Sequence, residues 1–133
     1  GVLNELTRQF CADPTNATLQ NLTPAQALSG DAARTLYAKI SSRNVQSPAT
    51  IISGMLGLLP SCEQNKFLVL PPKFEVAKFR MADDQFFTIQ EPRFNENFER
   101  LKKVELDDNE LSSGYLTKEQ FKPGSVLQIR ASK

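Results

Sequence analysis

Apolar side chains recur at helical spacing through the first half of the chain and change to a strand-like rhythm after residue 66. Val2, Leu3, Leu6 and Phe10 mark a first amphipathic stretch, which Asp13-Pro14 stops. Thr23-Pro24-Ala25-Gln26 has the form of a capping box, with Thr as cap, Pro at the first helical position and Gln at the third. Ser29-Gly30-Asp31 interrupts that helix and offers a fresh start for Ala32, Ala33, Leu36, Tyr37 and Ile40. Ser47-Pro48 repeats the start signal ahead of Ile51, Ile52, Met55, Leu56, Leu58 and Leu59, and Pro60 closes the run. A helix apolar over most of its circumference is predicted to be the buried one. Replacing Ile52 or Leu56 by Ala is then expected to cost roughly 2–5 kcal/mol.

In the second half, Phe67–Leu70 reads as a strand closed by Pro71-Pro72, and Phe74–Phe79 as an edge or half-exposed strand. Asp83-Asp84 is a turn candidate before the strand Phe86–Ile89. Pro92 is expected to open a helix in which Phe94, Phe98, Leu101 and Val104 share a face, supported by Glu96–Arg100 and Glu99–Lys103 at i,i+4. Pro123-Gly124 turns the chain into a last strand holding Val126, Leu127 and Ile129. Together these predict an α+β fold. A helical N-terminal layer (about residues 2–59) packs on a small antiparallel sheet, with one helix inserted at about 92–105. No low-complexity linker divides the chain, so residues 1–133 read as one domain, a helical half (1–62) joined to a Phe- and charge-rich β/α half (63–133).

Charge sharpens that division. Residues 1–62 carry 7 of the 31 charged side chains and one of the nine Phe, and the rest fall beyond them. The net charge of +1 gives no long-range pull toward nucleic acid or an anionic surface. Locally, residues 66–80 are basic, 83–110 acidic and 118–133 basic again. The chain of 133 residues is long enough to bury a core without metal or a dense disulfide framework. No apolar run approaches the ~20 residues of a membrane span.

Candidate chemistry is sparse. Without His there is no Ser-His-Asp triad, no Cys-His pair and no His-containing zinc site. The two Cys do not form a C-x-x-C, and no phosphate-binding or dinucleotide Gly pattern occurs, so neither cofactor nor metal is expected. Asp83/Asp84 and Asp107/Asp108/Glu110 are the carboxylate groupings a glycosidase or aspartic protease would require. With no Trp and two Tyr to form a sugar platform, they read as turn and surface acids. The Asp107–Gly114 loop has Leu111 where a calcium loop needs an oxygen ligand.

Cys11 and Cys62 lie just past two predicted helix ends and are paired in one reading, separate buried thiols in the other. Asn16-Ala-Thr and Asn21-Leu-Thr are acceptors for N-glycosylation in a secretory lumen, and with the cysteine pair they point to an extracytoplasmic or secreted setting. Gly1 marks a mature end, an excised domain or a scar left by cloning, and no signal peptide is expected. The function expected from these residues is a non-enzymatic protein-interaction or assembly module without catalytic residues. Its partner would be another protein or a second copy, held by Lys73, Phe74, Lys78, Phe79 and Arg80 near a sheet edge. The alternatives are a single-stranded nucleic-acid binder using a Phe/Lys sheet face and, third, a small carboxylate-dependent hydrolase.

Overall fold

A computed structural model describes residues 2–42, 47–81 and 84–133. The fold is α+β, with a helical layer packed on sheet. Its helices are α1 (Val2–Ala12), α2 (Pro24–Ser29), α3 (Asp31–Ser41) and α4 (Pro48–Leu56), with a 3-10 segment over Pro14–Asn21. Thr23 caps α2 through the full capping box, and Ser47 caps α4 by accepting from the Ala49 N–H at 3.1 Å. Strands β1 (Leu58–Ser61), β2 (Lys66–Val69) and β7 (Tyr115–Thr117) form a three-stranded antiparallel sheet in the order β1-β2-β7. A second sheet of five strands runs β3-β4-β8-β5-β6, from β3 (Val76–Arg80), β4 (Phe86–Gln90), β5 (Arg100–Leu106), β6 (Asn109–Glu110) and β8 (Val126–Ser132).

One core joins the two halves: Phe10 and Leu36 from the helices are fully buried with Phe67, Phe87, Leu127 and Ile129 from both sheets. Cys11 at the end of α1 and Cys62 just past β1 form a disulfide, Cα to Cα 5.8 Å, closing a separation of 51 residues. Among the described residues no helix is long and apolar enough to cross a membrane.

Three expectations need correction. The helix expected at about 92–105 is absent: residues 92–99 are turns, fixed in part by the Asn97 N–H donating to the Asn95 side chain at 2.8 Å, and β5 follows. A register shift between Leu101 and Lys103 inserts one extra residue into β5. That bulge sends Leu101 and Val104 to the same buried face, which reproduces the i,i+3 spacing of a helix. The sheet is also not wholly antiparallel, because β4 and β8 run parallel from Thr88↔Val126 to Gln90↔Gln128.

The third correction concerns α4. It buries its small and polar residues, Ala49, Thr50, Ser53 and Gly54, and leaves Ile51, Ile52 and Met55 exposed at 40%, 44% and 52%. Close approach explains the inner face: a Cβ on Gly54 would stand 2.9 Å from Ile40 Cδ1. The helix ends at Gly57 (φ +72°), so Leu58 and Leu59 are not helical but lie buried in β1. An apolar groove of about 520 Å³ runs along the open side, between Leu6 of α1, Ile52 and Leu56 of α4, and Phe79 of β3.

Packing therefore reverses the expectation for α4. Leu36→Ala, in a fully buried site, should cost about 2–5 kcal/mol by urea unfolding. Ile52→Ala should cost less than about 1 kcal/mol in the same assay.

Candidate functional site

Glu91 is the least ordinary side chain in the molecule. It follows β4 directly, is 1% exposed, and neither carboxyl oxygen has a hydrogen-bond partner among the described residues. Its backbone is held in place, with the Glu91 N–H donating to the Glu75 carbonyl at 2.7 Å and the Phe94 N–H donating to the Glu91 carbonyl at 3.0 Å. Burial without a partner disfavours the ionised form, so the carboxyl is pushed up to about 7, and Lys73 offsets only part of that rise.

Lys73 and Tyr37 complete the cluster from the helical side. The Lys73 ammonium sits 4.2 Å over the Tyr37 ring and donates to the Glu96 carbonyl. Burial lowers its pKa, against the opposing pull of Glu99, Glu96 and Glu91. The Tyr37 hydroxyl donates to the Pro71 carbonyl at 3.2 Å, and burial, with Glu91 and Glu99 nearby, raises its pKa. Glu91 also borders a cavity of about 210 Å³ with Arg93, Lys102, Gln128 and Arg130, to which its carboxyl oxygens are not exposed. The arrangement can hold a proton at neutral pH on a carboxyl closed off from water. No sequence signal marks it: an acid between a strand and Pro92 looks like any turn acid.

The residues singled out from the sequence do not form one surface. Lys73 faces α3 through Tyr37, and Phe74 packs against the core. Phe79 lies edge-on to Phe121 with centroids 5.5 Å apart, whereas Lys78 and Arg80 point to the exposed face of β3, Lys78 near Phe86 and Arg80 paired with Asp84. β3 is nevertheless an edge strand. Phe67 and Phe87 are 1% and 0% exposed and Phe74 and Phe79 are partly buried, which leaves Phe86, 43% exposed, as the open ring of the Phe/Lys face needed for stacking bases.

Among the acids, Asp83 lies outside the described residues. Asp107 (φ +50°) accepts from the Val126 N–H and the Ser125 hydroxyl, both at 2.9 Å, and those bonds hold its carboxyl below the usual range. Asp108 stands beside it on the same turn (φ +68°), and both line a cavity of about 300 Å³ with Gln90 and Gln128. Glu110 of β6 is paired with Glu105 of β5. Asn16 is 1% exposed, its amide donating to the Phe10 carbonyl at 2.8 Å and to the Thr50 hydroxyl at 2.9 Å. The glycosylation expected there is corrected: the amide is committed to the core, while Asn21 is exposed. Among the described residues no group of three or more Cys, Asp or Glu stands ready for a metal.

A family model described as the glycosyl hydrolase family 92 catalytic domain matches residues 44–133. Solved structures resemble the fold. A family GH92 inverting mannosidase of Bacteroides thetaiotaomicron VPI-5482 superposes with a TM-score of 0.64 at 14% identity, over 83% of this chain and 16% of that one. A family GH92 alpha-mannosidase of Bacteroides thetaiotaomicron, in complex with mannoimidazole, gives 0.63 at 13% identity, over 82% and 17%. The GH92 family glycosyl hydrolase ccman5 gives 0.57 at 19% identity, over 63% and 11%. No curated protein matches the chain. The chain thus spans about one sixth of the mannosidase structures it resembles.

These findings overturn the expectation of a non-enzymatic interaction or assembly module, and with it the nucleic-acid alternative. The absence of His and Trp was the misleading observation. Glycosidic cleavage runs on two carboxyl groups and water, and needs neither residue.

Glu91 makes stability depend on pH with a definite sign. Its folded pKa (about 7) lies above the ordinary 4.5, so its contribution is complete below pH 4.5 and is lost as pH rises through 7. The loss is up to about 3 kcal/mol. Having no His, the chain has no other side chain that ordinarily titrates there. Urea unfolding should show falling stability from pH 5 to 7.5, and Glu91→Gln should flatten that fall. An equal fall in both proteins would remove Glu91 as its cause.

Proposed function

The chain belongs to glycosyl hydrolase family 92, and from that premise we propose that it is part of a glycosidase whose substrate is an α-mannoside. The observation that carries this reading is the family match, which runs from α4 through the whole β half. The mannoside is drawn from what the solved relatives are named for.

The surface of α4 supports a role as one part of a larger catalytic unit. Ile51, Ile52 and Met55 turn outward while Ala49, Ser53 and Gly54 turn inward. An amphipathic helix facing only water would be arranged the other way round. The rest of the unit then covers the groove between α1 and α4, and residues 1–133 act together as a single folded unit within it.

An inverting hydrolase needs one acid and one base on opposite sides of the bond, roughly 6.5–9.5 Å apart. Asp107 is ionised and already committed to the turn before β8. Glu91 has the protonation of an acid, but its oxygens are shut off from solvent. Its role is therefore that of a positioning residue, which sets charge and order where α3 meets the sheet, and not of a group that touches substrate.

Activity decides the proposal. The complete protein should release mannose from aryl α-mannosides and mannobioses and leave the matching β-glucosides intact. Hydrolysis of another glycoside class would move the substrate assignment. A folded protein inert toward every glycoside would contradict the reading.

A further inference from the structure

Two acceptor sequences for an N-linked glycan, Asn16-Ala-Thr and Asn21-Leu-Thr, fall in the same stretch between α1 and α2, and the fold treats them oppositely. Asn16 is 1% exposed, and its amide nitrogen donates to both the Phe10 carbonyl and the Thr50 hydroxyl. A sugar on that nitrogen replaces one of the two N–H donors it uses and forces a bulky group between the 3-10 segment and α4. A chain modified there cannot close this part of the core. Asn21 is exposed at the last position of the 3-10 segment. Its neighbour Leu22 packs on the core, and the backbone there is already extended (φ −70°, ψ +142°). On the other side, Gln20 accepts from the Cys62 N–H at 3.1 Å and ties the segment to the residue after β1. The Asn21 amide is thus held out from a fixed support.

We infer that Asn21 is a site of N-linked glycosylation and that Asn16 stays unmodified in the folded protein. The disulfide is an independent observation in its favour. Cys11 and Cys62 are both exposed, yet paired. An exposed disulfide belongs to an oxidising compartment, and the secretory lumen that supplies one is also where the glycan is transferred. In that reaction the Asn21 Nδ2 forms a bond to the anomeric carbon of an oligosaccharide carried on a lipid diphosphate. The carbon–oxygen bond to the diphosphate breaks, the lipid diphosphate leaves with the bonding electrons, and one amide proton passes to a base of the transferase. Thr23 supplies the hydroxyl that the acceptor sequence requires. No residue from 13 to 23 lines the groove between α1 and α4, so a glycan on Asn21 leaves the open face of α4 free.

The test takes the complete, disulfide-bonded protein from the secretory pathway of a eukaryotic host and digests it with peptide N-glycosidase F in heavy-oxygen water. The digestion turns a glycan-bearing Asn into labelled Asp, and after reduction the tryptic peptide 9–34 holds both candidates. Tandem mass spectrometry should place the label at residue 21 and find Asn16 unlabelled. Asn21→Gln should abolish the label, with the mass of a single glycan lost from the intact protein. Thr23 also caps α2, and its two roles separate by substitution. Thr23→Asp keeps a good helix cap but removes the hydroxyl, so the label should disappear while thermal unfolding stays as in the parent. Thr23→Ser keeps cap and hydroxyl, and should keep the label. The inference fails if Asn21 is unlabelled in the parent, if the disulfide-bonded protein carries the label at Asn16, or if Thr23→Asp leaves it in place. Since no turnover is measured, either result stands apart from the glycosidase reading.

Discussion

Everything in this fold turns on the corner at Gly57. Its positive φ of +72° ends α4 and starts β1 in a single residue, and a Cβ there would lie 2.3 Å from the Leu70 carbonyl oxygen. The close approach is what allows the Leu70 N–H to donate to the Gly57 carbonyl at 2.8 Å, locking the end of the helical layer against the residue that follows β2. Only glycine combines that backbone angle with that proximity. The disulfide ties the same region from outside, joining the end of α1 to the residue after β1. With the corner set, Leu58 and Leu59 are carried inward and the outer face of α4 is left open.

Most of the helical layer was legible, because caps and apolar spacing act locally. Thr23, Ser47 and Gly30 begin or end helices where their chemistry says they should. The strand at 100–106 was not, since a bulge makes a strand imitate helical spacing and the partner that settles the matter, β8, lies far along the chain, from Arg100↔Ser132 to Leu106↔Leu127. The face of α4 was misread for a different reason. Hydropathy reports that Ile51, Ile52 and Met55 avoid water, but not that the small residues Ala49, Ser53 and Gly54 let α4 pack more closely through its other face.

The candidate site was invisible for a similar reason. Burial of a single acid depends on which strands close over it, and Glu91 carries no local mark of that. Its companions come from distant parts of the chain: Tyr37 from α3, Lys73 from the segment before β3, Arg130 from β8. What the sequence did show, an absence of His, excludes many reactions but leaves carboxyl chemistry untouched. Counting missing residue types was therefore weaker evidence on function than asking which reactions the acids present could perform.

We propose that the open face of α4 is a seam within a larger family 92 catalytic unit. Met55, 52% exposed on that face, reports on it directly. Met81, half-buried on the sheet side, serves as the internal reference. Peroxide oxidation followed by peptide mass spectrometry should modify Met55 faster than Met81 in the 133-residue chain. In the complete protein Met55 should be protected while Met81 changes little. Equal oxidation of Met55 in both forms would contradict the account and leave the apolar face of α4 without a partner in the enzyme.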